Sequence, residues 1–474
     1  MPSTQLLTIG TVCSIFVILL SCYYKHPEEE LNIRLSTVLQ GLIDIENQFL
    51  SYTPKIAVGY GACLDLFIDG KDILLYDETI GEPEHCDEIS SIVELKKSYA
   101  YYFRHGAAAE RYISNSTLFD ELVSYAGQSK SSHYSLGGNA PTMALRLNEE
   151  GCEVLLAATL TTNLKKALPS NIKVVGIESK RDDVHLILEY KAGELWGPYT
   201  APRANRFIIH NDDNNPLVNS LEEFEKGLKT FSTDLLVISG LQMMDKYPFQ
   251  IGERENRLIR IREQMISQKP TTKIHFEMAS FSEIGLLNEL KKWIIPHANS
   301  LGMNEQELTN LVSIFQFGNV SFITDSNPRI AAVLDQMRQL LRLIDDFTSD
   351  IPNRRKLTRI HVHTLAYQAI MTDNSSDWIN SDIAAAKASL TAHRHVCASP
   401  QVDVDRAMLI MDESFSISVH EPNNRVIFEP TNPVSCWNES SYTICVAPVL
   451  VCTNSTQTAG GGDNISAAGL AVQL

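Results

Sequence analysis

Along the chain, short apolar runs alternate with longer stretches that are apolar on one side only. Ile56-Ala57-Val58, Val154-Leu155-Leu156, Leu235-Leu236-Val237-Ile238 and Ile274-His275-Phe276 are the short runs; Leu221 to Phe231 and Glu305 to Phe315 are amphipathic. Runs of this kind are strands buried on both faces, and the amphipathic segments between them are crossover helices, which is the rhythm of a parallel sheet. An α/β layered fold follows, with a mostly parallel central sheet between helices. Two regions break the rhythm. Leu66 to Ile80, and Val184 to Ile209 with its run Val184-His185-Leu186-Ile187-Leu188-Glu189-Tyr190 and loop Gly197-Pro198-Tyr199-Thr200, predict antiparallel ribbon inserted between α/β units. A smaller β-rich lid is expected from about 66–129 and 181–209. There is no internal repeat and no long low-complexity tract, and the polar stretch Thr372 to Asp377 predicts a surface loop.

The first thirty residues differ. Leu6 to Cys22 is free of charged side chains, and Lys25 and Glu28-Glu29-Glu30 stop it. It is long for a signal-peptide core and short for a span, which takes about 20 apolar residues. A secretory signal or an anchor over residues 1–24 is expected, with a buried core helix as the bland alternative. The remaining domain runs from 50 to 474.

Composition narrows the partners. In 474 residues, Lys+Arg 40 against Asp+Glu 57 gives a formal net charge of −17. That field repels phosphate backbones, so nucleic acid is not an expected partner. Of nine cysteines, Cys13 and Cys22 lie in the apolar stretch, which leaves an odd number and at least one free thiol. Cys436, Cys445 and Cys452 cluster without zinc-ligand spacing, so a disulfide fits there better than a metal. Sequons at Asn115, Asn319, Asn374, Asn438, Asn454 and Asn464 are glycosylation candidates in a lumenal chain.

Four constellations carry the chemistry. Thr458-Ala459-Gly460-Gly461-Gly462-Asp463 precedes a helical Asn464 to Leu470. Glycines let backbone N–H groups converge on an anion at a helix start, and Asp463 would lie beside a transferring group as proton acceptor. The structural alternative is a turn with Asp463 as cap. His275-Phe276-Glu277 places Glu277 at the carboxyl end of a strand, where α/β sheets bind ligands and one carboxylate can serve magnesium. Asn304-Glu305-Gln306-Glu307 is a capping box, from which Glu307 can still face the cleft. Finally Gly59 to Asp65, Gly106 to Arg111 and Gly137 to Ala140 set small residues beside Asp65, Glu110 and Asn139, the acceptors and donors a polyol needs. For Asp65 and Glu110 the bland alternative is a hinge carboxylate or surface ion pair.

In this order the fragments resemble the ADP-dependent glucokinase family of the ribokinase-like superfamily, in its animal form, over roughly Ile56 to Leu470. Gly106 to Arg111, Gly137 to Ala140, Leu186 to Tyr190, Ala204 to Ile208, Leu301 to Leu308, Arg359 to Thr364 and Gly460 to Leu470 carry the likeness. The resemblance implies a ribokinase-like three-layer sandwich. It also implies transfer of the terminal phosphoryl group of ADP to the 6-hydroxyl of glucose, with Mg2+ and release of AMP. Asp463 would then be the catalytic base. Glu277, Glu307 and Asp463 would hold the metal. Asp65, Glu110, Gly138 and Asn139 fall on sugar-contacting segments, and Arg206 with Gly460, Gly461 and Gly462 on the nucleotide side. His361 and His363 lie in a segment near the nucleotide and receive no role. A monomer in the endoplasmic reticulum lumen or membrane, or secreted, is expected.

There are departures. Gly61 stands where related chains often carry Asn, and Gly461 and Asn464 where Leu and Ala are more usual. Asn464 should carry no glycan in an active enzyme. A related kinase using another sugar or ATP, or a weakly catalytic binding protein that keeps the fold, are the alternatives; the absence of a GxxxxGK[ST] loop does not separate them.

Overall fold

The expected strands assemble into one ten-stranded sheet in a computed structural model that describes residues 29–48, 53–86, 88–320, 325 and 327–474. Across it run Lys173–Val175, Glu153–Ala157, Lys55–Gly59, Leu235–Ile238, Lys273–Glu277, Ser300–Asn304 and Arg359–His363, every neighbouring pair parallel. Tyr367–Asp373, Tyr442–Pro448 and Ser435–Glu439 then extend it antiparallel. Most of the parallel strands are buried almost throughout, which is why Lys55–Gly59 and Leu235–Ile238 appear in the sequence as apolar runs; Lys273–Glu277 and Arg359–His363 bury polar side chains as well, and the edge strand Lys173–Val175 is only partly covered.

Helices cover both faces. Asn139–Glu149, Ser381–Val396 and Gly461–Ala471 pack together on one side. Leu221–Thr230, Glu253–Ile266, Ile284–Trp293, Glu305–Gln316 and Ile330–Thr348 pack on the other. Gly461–Ala471 is buried from Asn464 to Ala471 on every side, and its Ala and Gly side chains are small enough for that. Residues 29–46 form a helix whose Leu35, Val38 and Leu42 join the main core. Glu46 on it accepts from Lys387 and Arg394 of Ser381–Val396 at 3.3 and 2.9 Å. Among the described residues no helix is long and apolar enough to cross a membrane; the stretch 6–22 lies outside them.

A second sheet of five strands stands over the carboxyl edge of the first, in the order Ala109–Tyr112, Asn205–His210, Val184–Tyr190, Cys63–Asp69 and His133–Gly137. Its outer face carries Leu66, Ile68, Leu186, Leu188 and Phe207, packed under helix Ile92–His105 through Tyr99, Tyr102 and Phe103. The inner face presents Asp65, Phe67, His185 and Ile187 to the large sheet, following strand alternation. The expected ribbon is realised for Val184–Tyr190 against Asn205–His210. For Leu66 to Ile80 it is not: the strand stops at Asp69, runs parallel to Val184–Tyr190, and takes its antiparallel neighbour from His133–Gly137.

The expected loop at Thr372 begins later as well. Thr372 and Asp373 are buried in a strand, because Tyr442–Pro448 continues the ladder beside them. Asp373 is satisfied there by Ser375 and Lys356, at 2.8 and 2.6 Å. Disulfides join Cys397 to Cys452 and Cys436 to Cys445; Cys63, Cys86 and Cys152 are free.

Candidate active site

Between the carboxyl edge of the large sheet and the inner face of the small one lies a cavity of about 830 Å³. Gly460, at φ 70°, turns the chain into helix Gly461–Ala471, so Asp463 sits on the first turn with its side chain in the cavity. Asn139 Nδ2, from the start of its own helix, donates to Asp463 Oδ1 at 2.9 Å. Glu277 ends a central strand. Its Oε2 accepts from His275 Nε2 at 2.7 Å and its Oε1 from Ser466 Oγ at 2.9 Å, one turn beyond Asp463. His363 Nε2 is 3.8 Å from the same Oε1.

Glu307 realises the capping box. Asn304 N and Nδ2 donate to its two oxygens at 2.8 and 3.0 Å, and the carboxylate still lines the cavity. The capping and site-facing roles therefore coexist in one side chain.

The electrostatics separate these acids. Burial lifts the Asp463 carboxyl to about 7, with Glu277 and Glu307 adding to it against the bond from Asn139. Burial also lifts Glu307 to about 7, opposed by His363. For Glu277 burial acts in the same direction, but hydrogen bonding by His275 and the charge of His363 bring it down to about 2. His363 in turn is held above its ordinary value by Glu277, Glu307 and Glu305, which outweigh its burial.

On the other side of Asn139 the cavity narrows between Asp65, Glu110 and Gly138. Gly138 has φ 86°, and a side chain there would put Cβ 2.4 Å from Gly61 O, so only glycine lets the two turns meet. Strand register sets Asp65 beside His185, whose Nδ1 is 3.3 Å from Glu110 Oε1. Gln242 Nε2 donates to Glu110 Oε2 at 3.2 Å and to Asn139 Oδ1 at 2.8 Å. Burial raises Asp65 to about 6 although His185 opposes it. Gly61 has no space for a side chain, since its Cβ would lie 2.9 Å from Gly240 Cα.

Toward the glycine turn, Arg206 reaches the cavity from strand Asn205–His210. Its Nη1 donates to Asn205 Oδ1 at 3.2 Å, while Nε is buried with no hydrogen-bond partner among the described residues. Gly460, Gly461 and Gly462 line the wall below. Beyond them Val396, Met408, Ile410, Val449 and Val451 give an apolar end. Thr458 bonds through N and Oγ1 to Glu189 Oε1 of the small sheet, at 3.3 and 2.8 Å.

Every site residue expected from the sequence thus lines this one cavity, and others join them that the sequence had not marked. His185 and Gln242 line it with no local motif, and Ser466, buried behind Glu277, has none either. His363 had only its neighbourhood, and the structure separates it from His361, which is buried against Gln368 outside the cavity.

The conserved region of ADP-specific phosphofructokinases and glucokinases matches residues 54–472. The chain belongs to this family. It is 33% identical over 423 residues to the ADP-dependent glucokinase of Bos taurus, covering 88% of this chain and 84% of that one. It is 30% identical over 435 residues to the probable ADP-dependent glucokinase of Caenorhabditis elegans, with the same shares covered. Among solved structures, an ADP-dependent kinase in complex with fructose 6-phosphate and ADPβS superimposes with a TM-score of 0.66 at 16% identity, over 92% of this chain and 97% of that one. The family member described here is a sugar kinase with the ribokinase-like α/β architecture expected from its strand rhythm.

Proposed function

We propose that this family member is an ADP-dependent glucokinase: it transfers the terminal phosphoryl group of ADP to the 6-hydroxyl of D-glucose, giving glucose 6-phosphate and AMP. One observation carries the reading. The Asn139–Asp463 bond of 2.9 Å joins the half-buried carboxylate of the glycine turn to a pocket lined by Asp65 and Glu110. Asp463 is the general base for the sugar hydroxyl, and its raised pKa suits a group that must take up a proton near neutral pH.

Asp65, Glu110, Gly138 and Asn139 hold the sugar, with His185 and Gln242 supporting them. Two carboxylates there favour a neutral sugar, because they repel a phosphorylated one. The relatives named above point the same way for substrate and donor. N–H groups at the Gly460-Gly461-Gly462 turn and the guanidinium of Arg206 hold the diphosphate, and the apolar end accepts the base.

Glu277, Glu307 and Asp463 bring three carboxylates to one cavity; burial raises Glu307 and Asp463 to about 7, and the crowding of like charges adds to it. A hard divalent cation relieves that crowding, so the set fits Mg2+. Bound there, the ion supplies charge neutralisation for the transferring group. The small sheet, bonded to the glycine turn through Glu189, acts as a lid that excludes water as a competing acceptor. Two disulfides in the chain fit an oxidising compartment, the endoplasmic reticulum or beyond.

Purified protein given glucose with ADP or with ATP in parallel tests the proposal. AMP and glucose 6-phosphate appearing together only with ADP is the expected result. Turnover with ATP alone, or with no sugar acceptor, defeats it.

A further inference from the structure

Away from the phosphoryl-transfer carboxylates, the densest group of buried titratable side chains lies on the inner face of the small sheet. The mechanism above uses His185 but gives Asp212 and His210 no role. Register places His185 beside Asp65 on one side and beside His210 on the other. Just past the end of strand Asn205–His210 the chain turns back, and Asp212 enters beneath these rings. Its Oδ2 lies 3.0 Å from His185 Nε2, and its Oδ1 3.4 Å from His210 Nδ1. Asn215 Nδ2 donates to Asp212 Oδ2 at 2.7 Å and to Ala62 O at 3.1 Å, while Asn215 Oδ1 accepts from Ala62 N at 3.0 Å. Asp212 is 1% exposed and His185 3%.

A fully buried carboxylate needs a compensating charge. Among the described residues neither lysine nor arginine is bonded to Asp212; imidazoles and one amide face it. His185 supplies the charge only when both its nitrogens carry protons, Nε2 toward Asp212 and Nδ1 toward Glu110 and the sugar pocket. The environment favours that form. Burial pulls the His185 pKa down, yet Asp212, Glu110 and Asp65 together raise it to about 10. Asp212 is held far below the usual carboxylate range by His185 and His210, against its own burial.

We infer that Asp212 is a positioning residue for the sugar subsite: it fixes the His185 imidazolium between Asp65 and Glu110, so that Nδ1–H is a permanent donor and both carboxylates remain acceptors for hydroxyls. Through Asn215 it also ties this arrangement to Ala62, at the crossing from the large sheet to the small one. The inference rests on the reading that this pocket takes a neutral sugar. It adds that sugar affinity depends on a carboxylate that the sugar does not touch.

The test is Asp212→Asn in the full chain, which keeps the side chain's shape and removes its charge. The groups facing His185 are Asp65, Glu110, Asp212 and His210, with the Cys63 thiol beside Asp65. Expected are a rise of about 10-fold or more in the glucose KM, a parallel rise in the glucose Kd by calorimetry without nucleotide, and less than about 2-fold change in the ADP KM and in kcat. By 15N NMR, the His185 imidazole, assigned by loss of its signal in His185→Gln, should titrate below about pH 7 in the variant and above about pH 9 in the parent. Unchanged glucose KM and Kd, or a His185 titration that does not move, overturns the inference. If the variant does not fold, the parent titration decides: an imidazolium persisting above about pH 9 supports the inference, and one lost below about pH 7 overturns it. If the parent phosphorylates no glucose, the proposed function fails while the histidine titration still decides the Asp212 pairing.

Discussion

Thr458 donates its hydroxyl to Glu189 Oε1 at 2.8 Å, which joins the approach to the glycine turn on the large sheet to the small sheet above it. Phe67, Ile187 and Ala459 pack as a small buried cluster beside the bond. A hydrogen bond to a charged acceptor contributes about 1.5–3 kcal/mol. Thr458→Val should therefore weaken closure over the nucleotide. We expect the ADP KM to rise by about 10-fold, and slow AMP release without sugar to become measurable as water enters. Steady-state kinetics with and without glucose check this.

The Asn139–Asp463 pair separates two effects. Asp463→Asn removes the proton acceptor and keeps the side chain's size, so kcat should fall by about 10²–10⁴-fold with the circular dichroism spectrum unchanged. Asn139→Ala leaves the base in place but removes a donor that favours its ionised form. The acid limb of the kcat profile should then move to higher pH. A limb that stays fixed would show that Asn139 does not tune the base.

Two carboxyls raised to about 7, those of Glu307 and Asp463, have a consequence for stability in the absence of metal. Between their ordinary values, 4.5 for Glu307 and 3.8 for Asp463, and about 7, the folded chain holds protons that the unfolded chain has released. Their contribution is complete below the ordinary values and is lost as pH rises through about 7. Metal-free protein should show a lower Tm at about pH 8 than at about pH 6 from this source. Mg2+ should restore more at the higher pH, where the carboxylates are free to bind it. Calorimetry at the two values with and without Mg2+ measures the difference; an equal metal effect at both would disprove the assignment of these carboxylates to the ion.

Asn464 is a sequon residue that cannot accept a glycan in the folded protein. It is buried, its Nδ2 donates to Gly460 O at 2.9 Å, and its Oδ1 accepts from Arg146 Nε at 3.1 Å. The sequon asparagines at 115, 374, 438 and 454 are exposed. Peptide mapping of protein secreted or retained in a glycosylating host should find Asn464 unmodified, and a glycan there on active enzyme would contradict the fold of this turn.

How much of this was legible depends on how local each feature is. Leu235–Ile238 stands out because a strand buried on both faces there has no polar positions to blur it, whereas Lys273–Glu277 is marked only by Ile274 and Phe276 around its buried His275 and Glu277. Glu277 was legible because strand ends in such sheets face the ligand. Glu307 was legible twice over, as a cap and as a cleft residue. His185 was not: it sits in an apolar strand, and its partner Asp212 lies 27 residues away, at a distance no motif spans. Gln242 bonds Glu110 across 132 residues and has no signature of its own. Thr372 and Asp373 were misread because polar composition outweighs strand pattern until a neighbouring strand, seventy residues later in the chain, supplies ladder bonds.

Helix Gly461–Ala471 has a further consequence for how the molecule is made. It is wedged between Asn139–Glu149 and Ser381–Val396, with Gln473 just behind it accepting from the buried guanidinium of Arg359 at 2.7 Å. The seven parallel strands of the large sheet all precede this helix in the chain, so the slot between Asn139–Glu149 and Ser381–Val396 stays open until the helix seats. The same helix carries Asp463 on its first turn, so filling the core and delivering the acid of the glycine turn to the cavity are one event.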